Sequence, residues 1–197
     1  MVVTPRELEE YRALRATIRE RGTARVWITL AGLIAWAALT LATAALAELP
    51  VASLLPLLIL SATFEITFAL HTGVERIGRY IQVVFEGEEA DRGWEHCAMS
   101  YGRTFRAAGS DPLMATHFLI ATVFNFVPVL LAGPVPLEWG TVAAVHVVFI
   151  AGVLTARHSA AHQRSVDLER FQQLNAKTSS RSRERHDDPR DPNVTRP

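Results

Sequence analysis

The sequence is short of cysteine and of recognisable enzyme motifs. Cys97 is the single cysteine in 197 residues, so an internal disulfide, a CxxC redox pair and a cysteine-rich zinc knuckle are excluded. The sequence contains no GxSxG elbow, no HExxH, no glycine-rich phosphate loop and no DxDxDG calcium loop. These absences leave a non-enzymatic protein as the expectation.

The sequence also lacks net charge. Twenty Lys and Arg residues balance twenty Asp and Glu residues, which gives no argument for a nucleic-acid partner. Charge is missing altogether from the 22 residues between Arg25 and Glu48 and from the 26 between Asp111 and Glu138. A stretch of about 18 or more such residues can cross the roughly 30 Å hydrocarbon core of a bilayer. A water-soluble globular domain is therefore excluded as the main interpretation.

The apolar residues divide into four predicted membrane spans, at about 26–47, 51–74, 112–131 and 139–156. The second span contains one acid, Glu65, and the fourth has only 18 residues, which is near the lower limit for a crossing. The predicted fold is all-α. It is an integral membrane four-helix bundle built from two transmembrane hairpins, 26–74 and 112–156.

All twenty basic residues fall on one side of this predicted bundle. Six precede the first span, five lie between the second and third spans, and nine follow the fourth. The two remaining connections contain none, and the positive-inside rule places the basic side in the cytoplasm. The expectation is a multi-pass protein of a cell membrane, a prokaryotic inner membrane, with both termini cytoplasmic.

The segments outside the spans are predicted to be helical, apart from the tail. Residues 1–25 predict an amphipathic helix that ends at about Gly22; it would either cover the bundle and the lipid headgroups or bind a partner. Residues 75–111 predict a helical hairpin that turns at 87–93 and then carries Trp94, Tyr101 and Phe105 on one face. The fourth helix continues through 157–176. The polar composition of 177–197 predicts disorder, because this segment has too little apolar surface to bury.

Three polar residues inside the spans are candidates for function. Ionisable groups within a membrane are costly and usually face a bundle interior or a water-filled cavity. Counted from the ends of their spans, Glu65 and His146 fall at nearly the same depth, and Asn125 lies somewhat nearer the outer face. Three interpretations stay open. Glu65 and His146 form a pair in a proton or ion pathway, the residues form a polar clasp that fixes the helix register, or Glu65 contacts a partner chain.

Histidines near the predicted cytoplasmic face suggest a second candidate site. His158 and His162 are four residues apart, as are His71 and Glu75, and this spacing places both side chains on one helical face. With His117 they offer ligands that suit zinc, iron, nickel or copper. His71 and His117 also suggest a bis-histidine haem. No cofactor is expected from the remainder of the sequence.

Three classes of function follow from these features. The first is a channel, transporter or membrane-effector subunit that works as an oligomer or in a complex through Glu65, Asn125 and His146. The second is a membrane scaffold whose cytoplasmic helices bind a partner, and the third is a metal- or haem-binding membrane protein. The expected partners are the lipid bilayer and either a second copy or another membrane subunit.

Overall fold

The computed structural model describes residues 4–46, 49–87, 93–105 and 113–187, and these contain helices and no strand. A 3-10 turn at Pro50–Ser53 precedes the second α-helix, and a π-helical turn at Gln82–Glu86 follows it. The prediction of an all-α protein is confirmed for this part of the chain. The five α-helices are α1 (Pro5–Leu46), α2 (Leu54–Ile81), α3 (Trp94–Thr104), α4 (Ala115–Leu131) and α5 (Pro136–Asp187).

Three of these helices, α1, α2 with its flanking turns, and α5, are long and apolar enough to cross a membrane. They carry the first, second and fourth predicted spans, and they indicate a membrane protein. Helix α4 is apolar but has 17 residues, because it begins at Ala115 and not at 112 as predicted. At 1.5 Å per residue it is about 26 Å long, slightly less than the hydrocarbon core. Residues 106–112 lie outside the described part of the chain.

Helix α1 runs without interruption through Gly22, which corrects the predicted end of the first amphipathic helix. It begins as the sequence suggests: the backbone N–H of Thr4 donates to the Glu7 carboxylate at 2.7 Å, and the Thr4 hydroxyl accepts from the Glu7 N–H at 3.3 Å. One glycine inside a helix costs only about 1 kcal/mol. Contacts with α2 on both sides of Gly22 offset that cost: the Tyr80 hydroxyl donates to Glu10, and the Thr29 and Thr67 hydroxyls are hydrogen-bonded to each other, both at 2.9 Å.

Helix α5 continues to Asp187, which corrects the predicted disorder of 177–197 as far as residue 187. Residues 177–181 are exposed, as their composition requires. The serine hydroxyls do not interrupt the helix there, because those of Ser179 and Ser180 turn back along it and donate to carbonyl oxygens one turn earlier, at 3.0 and 3.1 Å. The disorder prediction considered burial alone. Residues 188–197 lie outside the described residues.

Helix α2 is the central element, because it packs against α1, α4 and α5. The apolar core lies where α2, α4 and α5 meet and includes Leu60, Phe64, Phe118 and Val153. The ring of Phe64 meets those of Phe118 and Phe149 edge to face, with centroid distances of 5.2 and 6.3 Å. Large apolar side chains also cover the outside of the helices. An apolar surface on both sides is what a bundle surrounded by lipid requires.

Candidate functional site

Asn125 is the centre of a buried polar cluster that joins four elements of the bundle. Its amide nitrogen donates to the carbonyl oxygen of Ser53 and lies 3.0 Å from His146 Nε2. Its carbonyl oxygen accepts from the Trp36 indole N–H at 3.1 Å and from the Thr40 hydroxyl at 3.3 Å. We call these five residues the amide clasp. Both donors and both lone pairs of Asn125 are used, and its side chain is fully buried.

The tautomer of His146 follows from its two neighbours. Nδ1 lies 2.8 Å from the carbonyl oxygen of Val142, one turn earlier in α5. This nitrogen must therefore carry the proton, and Nε2 accepts the hydrogen bond from Asn125. In this arrangement a neutral imidazole satisfies the amide, and the amide satisfies the imidazole. Every hydrogen-bonding position of the Asn125 and His146 side chains is therefore used within the bundle.

A second set of polar contacts runs along the antiparallel interface of α1 and α2. Arg25 Nη1 lies 3.0 Å from His71 Nδ1, and the hydroxyls of Thr29 and Thr67 are 2.9 Å apart. The two contacts are separated by four residues on each helix, so that they stack along one seam. Thr67 and His71 are almost completely buried. The i, i+4 spacing of Arg25 and Thr29 and of Thr67 and His71 is visible in the sequence and indicates one polar face on each helix. A comparison of the membrane depths of individual residues does not detect this pattern.

Glu65 lies elsewhere, on the outer surface of the bundle. Its side chain is exposed and lines a groove of about 350 Å³ between α2 and α5. Among the described residues, no hydrogen bond or ion pair to this carboxylate is formed. Apart from Glu65 and Ser61, the groove is apolar, with walls formed by Leu54, Leu57, Leu58 and Phe64 of α2 and Val145, Val148, Phe149, Gly152 and Val153 of α5.

The structure does not bring the predicted pair of Glu65 and His146 together. His146 reaches Asn125 beside the carbonyl of Ser53, and Ser53 precedes Glu65 by twelve residues, or about 18 Å along a helix axis. The two side chains also differ in burial: Glu65 is exposed and His146 is buried. Counting residues from the ends of the spans gave the wrong relation, because Val74 and Ala156 were taken to lie at the same level. In the structure Glu75 pairs with Arg164, eight residues beyond Ala156. The three predicted polar residues thus separate into the amide clasp and an isolated acid.

At the end of the bundle where the basic residues gather, which we call the basic end, Glu86 fastens α3. Its carboxylate accepts from the backbone N–H groups of Glu95 and His96 at 2.9 and 3.1 Å. It therefore caps the helix that follows Gly93, a residue without a side chain to do so. Arg15 of α1 completes the attachment by pairing with Glu95 at 2.6 Å and with Glu86 at 3.8 Å.

The capping hydrogen bonds also set the pKa of Glu86. Burial raises this pKa, but the hydrogen bonds from the two backbone N–H groups and from the His96 ring outweigh burial, so that the pKa is lowered. A lowered carboxyl pKa in the folded state stabilises that state above the ordinary pKa. This contribution is lost as the pH falls through the lowered value. The attachment of α3 is thus complete at neutral pH and weakens in acid.

Ion pairs at the basic end also join α2 to α5. Arg164 pairs with Glu75 at 3.0 Å, and Arg76 pairs with Asp167 at 3.2 Å. Arg79, itself buried, pairs with Glu75 at 3.7 Å. These contacts lie on the parts of α2 and α5 that extend beyond the apolar segments, and they hold the two helices together there.

The predicted metal ligands are not assembled into one site. His71 contacts Arg25 and lies 3.5 Å from Arg164, and Glu75 is paired with arginines. The other three predicted ligands, His117, His158 and His162, are exposed. In the ranges that the structure describes, no three His, Cys, Asp or Glu side chains are grouped so as to hold a metal ion. The two histidines predicted to ligate a haem are not placed to share one, since His71 is buried and His117 is exposed.

The three polar sites therefore differ in what they can do. The amide clasp and the ion pairs of the basic end hold helices together with groups that satisfy one another. Glu65 offers a carboxylate in an apolar groove, with its hydrogen-bonding positions open to a ligand. No protein-family model matches the chain, and neither a curated protein nor a solved structure matches it.

Proposed function

We propose that the protein is a four-span membrane transport protein in which Glu65 binds the cation or proton that is moved. The observation that carries the proposal is the position of Glu65, exposed on α2 within an apolar groove. A carboxylate at such a place costs several kcal/mol unless a cation, a proton or water compensates it. Residues of this kind are retained mainly where a ligand pathway needs them.

Asn125 and His146 have a different role in this proposal. Their hydrogen-bonding groups are used inside the amide clasp, so they serve as a clasp that fixes the register of the helices and not as members of a pathway. Of the three polar residues predicted within the spans, Glu65 alone is proposed to bind the transported ion. A homo-oligomer, or a complex with another membrane subunit, is the proposed working form, since only 6% of the apolar segment of α1 is buried within one chain and the remainder can pack against a neighbouring subunit.

The proposed orientation has both termini in the cytoplasm of a prokaryotic cell, with α4 as the remaining crossing. The asymmetry of the basic residues supports it. The short length of α4, about 26 Å, is compatible with a crossing if the bilayer thins locally.

This orientation predicts the outcome of thiol labelling in intact cells. Native Cys97 is exposed at the basic end and should be protected from a membrane-impermeant maleimide. Leu49→Cys and Val135→Cys, placed at exposed positions in a Cys97→Ser background, should be labelled readily. Permeabilised cells provide the control, in which all three sites react. Labelling of Cys97 from outside would contradict the proposed orientation.

The transport proposal is tested with purified protein in liposomes that contain a pH-sensitive dye. Under an imposed membrane potential, the wild type should dissipate or build a proton gradient in the presence of its transported cation. Glu65→Gln should reduce this rate at least tenfold, because it removes the charge and keeps the shape. The matched control is Glu138→Gln, which alters a partly buried acid at the start of α5, outside the groove. Glutamine can still accept the hydrogen bond that Val135 N–H donates to Glu138. Equal rates for the wild type and Glu65→Gln would refute the proposal.

One observation favours a second candidate, the scaffold. Helix α3 is the short amphipathic helix that the sequence predicts after the turn at 87–93. Its aromatic side chains face outwards. Trp94, Tyr101 and Phe105 are 70, 58 and 54% exposed, and the ring centroids of Tyr101 and Phe105 are 4.9 Å apart. Exposed aromatic side chains of this kind bind either the headgroup region of a bilayer or a protein partner.

A further inference from the structure

The groove between α2 and α5 has the size and composition of a small-molecule site. Its volume of about 350 Å³ lies at the lower end of the range for ligand pockets, which are largely apolar with a few polar groups. From Leu54 to Glu65 the wall formed by α2 extends about 17 Å along the helix. The groove is therefore long and narrow, with a carboxylate near one end.

The polar groups of the groove are too few to hold a bare Ca²⁺ or Mg²⁺ ion. Ca²⁺ requires six to eight oxygen ligands, and Mg²⁺ requires near-octahedral coordination. The groove offers the carboxylate of Glu65 and the hydroxyl of Ser61, and its remaining lining is apolar. An ion that keeps its hydration shell would gain little from such walls.

An organic cation with a large apolar body meets both features at once. Its charge compensates Glu65, and its apolar surface replaces lipid against the leucine and valine side chains. The rings of Phe64 and Phe149 line the groove and lie 6.3 Å apart between centroids. Phe64 is only 3% exposed, so the partly exposed ring of Phe149 is the one that adds favourable contacts with a cation or an aromatic ligand.

We propose that this groove binds hydrophobic organic cations, with Glu65 as the counter-charge. The proposal rests on the transport function proposed above and names its substrate class. Because the groove opens on the outer surface of the bundle and Glu65 is exposed there, the ligand enters from the bilayer. A molecule that is both cationic and apolar concentrates in the membrane, so the site lies where its ligand accumulates.

The test is direct binding of tetraphenylphosphonium to the purified protein in detergent, measured by equilibrium dialysis. Tetraphenylborate has nearly the same size and shape with the opposite charge, so it separates charge recognition from partition into the micelle. The wild type should bind the cation in a saturable manner with at least tenfold preference over the anion. Glu65→Gln should weaken cation binding at least tenfold and remove that preference.

A second variant tests the groove without altering its charge. A Cβ at Gly152 meets no atom within 4 Å, so Gly152→Leu should fold normally and fill the groove, with at least tenfold weaker binding. The control is Gly140→Leu, since Gly140 is equally unobstructed on the same helix but lies outside the groove lining. It should bind as the wild type does.

Three outcomes would overturn the inference. They are equal binding of the two ions by the wild type, unchanged cation binding in Glu65→Gln, and a stable dimer whose Glu65 side chains crosslink to each other while the cation does not bind. The liposome assay separates this inference from the transport proposal. Flux that depends on Glu65 without cation binding refutes the substrate class alone. Binding without flux supports the site and refutes transport.

Discussion

Replacing Asn125 with leucine should lower the free energy of unfolding by about 2–4 kcal/mol. Leucine keeps the size of the side chain but leaves the Trp36 N–H, the Thr40 hydroxyl, the Ser53 carbonyl and His146 Nε2 without their partner. Hydrogen bonds between helices in a membrane average about 0.6 kcal/mol each and reach about 1.7 kcal/mol. Four such bonds account for the expected value, which is measured by equilibrium unfolding in mixed micelles.

The control for this substitution is Thr122→Val on the same helix. Thr122 is as buried as Asn125, but its hydroxyl donates to the carbonyl of Phe118 within α4 at 2.6 Å, so no contact between helices is lost. Its effect should stay below about 1 kcal/mol. A double-mutant cycle of Asn125→Ala and His146→Ala should give a coupling of about 0.5–2 kcal/mol. If Asn125→Leu and Thr122→Val were equally mild, the clasp would not hold the helices together.

Substitution of Gly32 should be comparably damaging, for a steric reason. Gly32 faces α2 so closely that an added Cβ would lie 2.7 Å from the Cβ of Thr63 and overlap the rest of that side chain. A distance below 3.0 Å requires either that the two helices move apart or that the Thr63 side chain adopts a strained rotamer. We expect Gly32→Ala to cost about 1–3 kcal/mol and Gly32→Leu to prevent normal packing of α1 on α2. Thermal unfolding in detergent measures both.

The steric origin of this effect is tested by removing the side chain that the new Cβ would meet. Thr63→Gly creates the space that Gly32→Ala needs, so the double variant should recover much of the stability lost in Gly32→Ala. Gly152→Ala is the control, because Gly152 has open space where its Cβ would lie, and helix propensity makes that change neutral or slightly stabilising. A Gly32→Ala variant as stable as the wild type would show that α1 and α2 do not approach so closely.

Uncharged length was enough to predict the apolar helices other than α2, whose span contains Glu65, because a run of about twenty apolar residues without a charge matches the length of a membrane-spanning helix. It was not enough to predict which face of a helix a residue occupies. In a soluble protein the apolar face identifies the interior, but Leu58 on the outside of α2 and Leu60 on its inside are both leucine. The exposure of Glu65 could not be read from such a pattern.

The amide clasp illustrates the same limit for pairs. Asn125 and His146 were both candidates, but the partner assigned to His146 was Glu65, since these two residues were counted to nearly the same depth. The true partners include a backbone carbonyl at Ser53 and an indole N–H at Trp36, and neither is conspicuous in a search for ionisable groups. The prediction that a helix ends at Gly22 was wrong for a different reason. Local propensity is a weak term beside packing along the whole of α2.

Because α1 is one continuous helix, a change in its tilt at one end moves its other end. The indole of Trp36 is fixed in the clasp, and Tyr11, 25 residues earlier, packs against Phe85 at the basic end. That separation is about 38 Å along a continuous helix, so a tilt of about 5° at Trp36 displaces the far end by about 3 Å. A helix with a joint at Gly22 would absorb such a tilt. A rigid one converts an angular change inside the bilayer into a linear displacement at the attachment of α3, where Arg15 holds Glu95.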